Sequence, residues 1–108
     1  MSVDAVYNAT DEAEICNFGV VFTTSGFIRE LDLHLLEDDK EFFAVYNPAL
    51  NVRQEVFEQY PQIRKIFAPI SKELDTETLR KLNYAVDVQD KSPERVARTW
   101  LRENDFIE

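Results

Sequence analysis

The apolar residues of this chain change their period at Leu50, and that change limits the folds open to it. Before Leu50 the apolar runs are short, β-branched or aromatic, and closed by turn residues. Phe18 to Thr24 in "CNFGVVFTTSG" runs into Ser25-Gly26, the pattern of a buried strand followed by a turn. "FIRELDLHLLEDD" sets Leu31, Leu33 and Leu35 in alternation with Asp32, His34 and Leu36, which predicts a second extended run. "FFAVYN" predicts a third strand, closed by Pro48, which has no N–H for a ladder.

After Leu50 the spacing becomes helical. "VRQEVFEQY" stops before Pro61, because a residue ahead of proline is pushed out of the helical region. Pro61 then suits the first position of the next helix, whose Ile63, Ile66, Phe67 and Ile70 form one apolar stripe. Asp75 or Thr76 caps a further helix with Leu79, Leu82 and Val86 on its apolar face. Ser92-Pro93-Glu94 is a strong start signal for a last helix that buries Val96, Trp100 and Leu101. A short helix over "VDAVYNATDEAEI" precedes all of this, with Val3, Val6, Tyr7 and Ala13 at helical spacing.

Strands first and helices last predict an α/β or α+β layer, a short sheet followed by C-terminal helices. Three strands are few for four or five helices, so the remaining strands of the sheet are expected to lie outside this chain. A length of 108 residues fits one domain with a modest core. The net charge of −9, from 21 acids against 12 bases, repels nucleic acid and anionic lipid and mildly favours cationic ligands. The single cysteine, Cys16, forms no internal disulfide and reads as a small buried hydrophobe. No transmembrane run stands out, and the acidic N-terminal stretch is not a signal peptide.

Catalytic patterns are missing from the sequence. His34 is the one histidine, and its place in an alternating run puts it towards solvent. There is no G-x-S-x-G, no P-loop and no G-x-G-x-x-G motif, and the chain holds only two glycines. Glu37, Asp38, Asp39 and Glu41 lack the alternating ligands and central glycine of a calcium loop, and read as a solvated turn. No metal or cofactor is called for. The remaining candidates are aromatic: Phe22 before Thr23-Thr24-Ser25-Gly26, and Tyr46 before Asn47-Pro48. Strand ends beside a crevice are where α/β sheets place ligands, and aromatic faces suit a quaternary ammonium. From pattern alone, core packing is the first reading for both rings.

The run "GVVFTTSGFIRELDLHLLEDDKEFFAVYNPALNVRQEVFEQYP" and the tail "LDTETLRKLNYAVDVQDKSPERVARTWL" resemble the C-terminal part of the substrate-binding proteins of glycine betaine/choline/proline-type ABC importers. The likeness holds in order and spacing from about residue 4 to about residue 105. It implies a non-enzymatic solute-binding segment with part of a periplasmic-binding-protein type 2 fold. Residues 1–28 would come from the end of one lobe and 29–108 from the C-terminal part of the other. It implies a quaternary-amine solute held in an aromatic cage, and delivery to membrane permease subunits from a periplasmic or extracytoplasmic position. By motif, Phe22 and Tyr46 fall at cage positions, with Thr23, Thr24, Ser25 and Asn47 as polar neighbours. Phe22 stands where the family has Tyr, Ser25 where it has Asp, and Ala44 where it has the first Pro of its F-F-P-x-Y run. Members of that family are more than twice as long, so this chain is expected to carry half a site. The alternative is a truncated domain that binds no solute and self-associates through exposed edges.

Overall fold

The computed structural model describes residues 3–13, 16–44 and 48–108. Six helices occur among them: α1 (Val3–Asp11), α2 (Phe27–Glu30), α3 (Gln54–Gln59), α4 (Ile63–Glu73), α5 (Thr76–Asp87) and α6 (Pro93–Glu103). The helices expected after Leu50 are all present, and the signals that placed them are visible. Tyr60 ends α3 one residue before Pro61. Pro61 itself lies in a turn, and α4 starts at Ile63 after Gln62. Ser92 stands before α6 with extended ψ, Pro93 opens the helix, and the N–H of Val96 donates to the Ser92 carbonyl at 3.0 Å.

The expected sheet is not. Among the described residues there is no strand. Residues 18–22 and 33–38 run without helix or ladder, and "FIRE" at the start of the second predicted strand is the helix α2. The third predicted strand lies partly outside the described residues, since 45–47 are among those not described. The alternation was real all the same. Leu31, Leu33 and Leu35 are half-buried, while Asp32 and His34 are exposed. A strand needs partners for its backbone N–H and C=O groups, and one or two strands are marginal in water without them. Alternation alone therefore sides the side chains without making a sheet.

The chain divides into two compact units. The first joins Met1–Leu35 to Thr76–Glu108 and the second is Leu36–Asp75. In the first, α2 and α6 both pack on α5. Tyr7 and Ile28 are its buried apolar residues, and the Tyr7 ring stands 5.6 Å from that of Phe27. Arg29 lies over the Tyr84 ring at 4.8 Å, and the Tyr84 hydroxyl donates to Glu30 Oε2 at 3.2 Å, so α2 is tied to α5 at two points. Val96, Trp100 and Leu101 of α6 are half-buried, and the indole lies 5.8 Å from the ring of Phe106. Cys16 is a free, half-buried thiol.

The second unit is open. Along α4, Ile63 and Ile70 are half-buried, whereas Ile66 and Phe67 of the same stripe are exposed. The acidic turn at its start is exposed and ordered by one side chain. Asp38 accepts the N–H of Phe42 at 3.0 Å through Oδ1 and that of Phe43 at 2.8 Å through Oδ2. Those bonds, Phe43 first, hold its carboxyl below the usual carboxylate range.

Candidate functional site

A tight turn in the first unit carries four of the residues singled out by sequence: Phe22, Thr23, Thr24 and Ser25. The N–H of Ser25 donates to the Phe22 carbonyl at 3.0 Å, which closes the turn over Thr23 and Thr24. Ser25 Oγ accepts the N–H of Phe27 at 3.3 Å and leads the chain into α2. Helix α5 then pins the turn from one side. Arg80 Nε donates to the Thr23 carbonyl at 2.8 Å, and Asn83 Nδ2 donates to the Thr24 carbonyl at 2.8 Å.

Gly26 makes this approach feasible. A Cβ at position 26 would lie 2.5 Å from Tyr84 Cα and 2.6 Å from Tyr84 N, backbone atoms that cannot swing aside. Its φ of −65° is open to any residue, so proximity and not backbone freedom selects glycine.

Beside the turn lies a shallow cavity of about 330 Å³, lined by Tyr7, Phe22, Thr24, Ser25, Phe27, Asn83 and Asp87. Three of these residues are aromatic. Asp87 is the one charged residue among the described lining residues, and it sits one turn after Asn83 on α5. Tyr7 is 2% exposed, and its hydroxyl has no hydrogen-bond partner among the described residues. Phe22 is largely exposed, so the cavity is open and not an enclosed cage. A lining of three aromatic residues and one carboxylate has a composition that suits a small organic cation.

Of the residues singled out by sequence, Phe22, Thr24 and Ser25 line this cavity. Thr23 does not line the cavity, and its carbonyl is taken by Arg80. Tyr46 and Asn47 lie outside the described residues. Tyr7, Phe27, Asn83 and Asp87 were not anticipated. The i, i+4 spacing of Asn83 and Asp87 puts both on one face of α5, a signal present in the sequence but indistinguishable from an ordinary polar face. A second cavity, of about 380 Å³, lies within the other unit between α3 and α4, with Phe57, Ile63 and Phe67 among its walls.

Among the described residues no helix is long and apolar enough to cross a membrane. Residues 1–103 match the model of a family described as the substrate binding domain of ABC-type glycine betaine transport system. The chain is 38% identical over 86 residues to the glycine-betaine-binding protein of Pseudomonas aeruginosa, which covers 80% of this chain and 28% of that protein. It is 39% identical over 101 residues to the ergothioneine transport permease/ergothioneine binding protein EgtU of Helicobacter pylori, covering 94% of this chain and 18% of the relative. To the carnitine transport binding protein OpuCC of Listeria monocytogenes it is 29% identical over its whole 108 residues, which span 35% of that protein. The chain thus corresponds to about a fifth to a third of the length of these relatives. With a family match along nearly all its residues, this chain belongs to the substrate-binding domains of ABC-type glycine betaine transport systems, a family of transport proteins with a periplasmic-binding-protein type fold and not of enzymes.

Proposed function

We propose that this chain supplies one wall of the solute site of an ABC importer for a small quaternary-ammonium solute such as glycine betaine, choline or carnitine. The observation that carries the reading is the cavity beside the Thr23-Thr24 turn, where Tyr7, Phe22 and Phe27 meet a single carboxylate, Asp87. A quaternary ammonium offers no N–H, so hydrogen-bonding groups gain little on it. Ring faces and a nearby anion attract it through charge alone. Phe22 lacks the hydroxyl of a tyrosine but keeps the π face, which is the part that binds. Tyr46 completes the aromatic cage in this reading, with Thr23, Thr24, Ser25 and Asn47 near the solute's polar end. The polypeptide up to about residue 28 closes one lobe and residues from about 29 belong to the other. The assembled protein works outside the cytoplasmic membrane and hands its solute to permease subunits.

The test is a chimera of the Pseudomonas aeruginosa relative in which this chain replaces the 86 matched residues. Calorimetric titration with glycine betaine and with choline is expected to give saturable binding. Phe22→Ala and Tyr46→Ala are each expected to weaken it about 2- to 30-fold, the value of one cation–π contact of about 0.5–2 kcal/mol. Unchanged affinity in both variants removes the cage. A folded chimera that binds neither solute removes the function.

A further inference from the structure

Tyr7 carries a buried donor with no acceptor. The residue is 2% exposed, and its hydroxyl has no hydrogen-bond partner among the described residues. A hydroxyl taken out of water and left unpaired is unfavourable, so such groups are rare in folded chains and call for a reason. Packing does not supply one. The ring sits in the middle of α1 with Phe27 at 5.6 Å, and a phenylalanine would fill the same place without the unpaired oxygen.

The polar groups nearby are already engaged. Asn83 Nδ2 donates to the Thr24 carbonyl at 2.8 Å, Ser25 Oγ accepts the N–H of Phe27 at 3.3 Å, and Thr10 Oγ1 on the same helix donates to the Val6 carbonyl at 2.8 Å. What Tyr7 does adjoin is the cavity beside the turn, which it lines together with Phe22, Phe27 and Asp87. That lining has two polar characters. Asp87 is an anion and draws the cationic end of a solute. Tyr7 is a donor and suits an acceptor oxygen. Thr24 and Ser25 also bring hydroxyls, but both are half-buried residues of a turn at an open cavity, so a solute there exchanges one hydrogen bond for another and gains little. Tyr7 has no bond to give up.

We infer that the Tyr7 hydroxyl is a specificity-determining group of this site, donating to an acceptor oxygen of the solute whose ammonium faces the rings and Asp87. It favours a carboxylate over a neutral oxygen, because a hydrogen bond to a charged acceptor is about twice as strong. It adds nothing for a tetraalkylammonium ion that carries no oxygen. The inference rests on the quaternary-ammonium reading above. The hydroxyl is closed to water in this structure, so a solute meets it as the aromatic lining shifts. Phe22, the most exposed ring of that lining, is the one least held by packing.

The test is Tyr7→Phe, read in two ways. In the 108-residue chain itself, melting followed by circular dichroism is expected to rise by about 4–8 °C, because the ring stays and the unpaired oxygen goes. In the chimera, calorimetric titration is expected to show glycine betaine weakened roughly tenfold or more, the value of a hydrogen bond to a charged group, while tetramethylammonium changes by less than about twofold. Equal losses for the two ions overturn the inference, since they make Tyr7 a packing residue only. Unchanged glycine betaine affinity overturns it as well. So does a variant chain that melts at or below the parent, which would mean that the hydroxyl already has a partner on which the fold depends. A chimera with Tyr7 intact that binds neither ion overturns the reading beneath the inference, and the inference with it; a parent that binds glycine betaine and a variant that binds it alike overturn the inference alone.

Discussion

Gly26→Ala is the substitution for which the structure sets the sharpest expectation. The added methyl would meet Tyr84 Cα at 2.5 Å and Tyr84 N at 2.6 Å, well inside van der Waals contact. Both atoms belong to the middle of α5, so relief requires α2 and α5 to separate. Separation in turn strains the bonds from Arg80 and Asn83 to the turn, each 2.8 Å long, and the contact of Arg29 on Tyr84. Overpacking against a rigid element costs about 1–3 kcal/mol. For a domain of this size each kcal/mol lowers the melting temperature by about 4–8 °C, so the expected fall is about 5–20 °C. Gly19→Ala is the internal comparison. Its new methyl meets the side chains of Thr10 and Val6, and Thr10 can rotate away at the expense of its 2.8 Å bond to the Val6 carbonyl. Loss of one such bond is worth about 0.5–1.5 kcal/mol, so its melt should fall by less. Circular dichroism at 222 nm reads both. If Gly26→Ala melts within 2 °C of the parent chain, or above Gly19→Ala, the tight seating of the turn on α5 is wrong.

Two further outcomes follow from charge. In the chimera, Asp87→Asn should weaken choline by up to about fivefold, the range of a solvent-exposed ion pair, and glycine betaine by less, because its own carboxylate gains from losing the anion; equal effects on the two solutes would argue against a role for Asp87. At the acidic turn, the carboxyl of Asp38 is held low by the N–H groups of Phe43 and Phe42, so its contribution to order is present above the unfolded value of about 3.9 and disappears as pH falls through the lower folded value. The amide proton shifts of Phe42 and Phe43 should titrate together at that lower pH and lose the transition in Asp38→Asn; a midpoint at the ordinary aspartate value would break the assignment.

The helices after Leu50 were legible because each carries its own stop or start: Pro61 behind Tyr60, Ser92-Pro93 ahead of α6. Such signals act through one or two residues and need no distant partner. The strands were legible only as alternation. Leu31, Leu33 and Leu35 do face inward and His34 outward, yet a ladder depends on a second segment that the local pattern does not specify. The site divides in the same way. Phe22, Thr24 and Ser25, neighbours in sequence joined by one turn, are the expected residues that line the cavity. Asn83 and Asp87 come from a helix more than fifty residues on, through the 2.8 Å bond of Asn83 to the Thr24 carbonyl. Nothing in the spacing of α5 distinguishes that pair from its other polar residues.

The same geometry explains why Phe22 can serve two neighbours. It ends the bare face formed with Phe18 and Val20, and it opens the turn that lines the cavity with Asp87. A ring that is largely exposed binds a cation weakly, because water competes at its face. Cover along residues 18–22 would remove that water without moving the turn, since Arg80 and Asn83 already hold Thr23 and Thr24 to α5. Solute affinity should therefore rise on assembly through desolvation of a wall that is already in place.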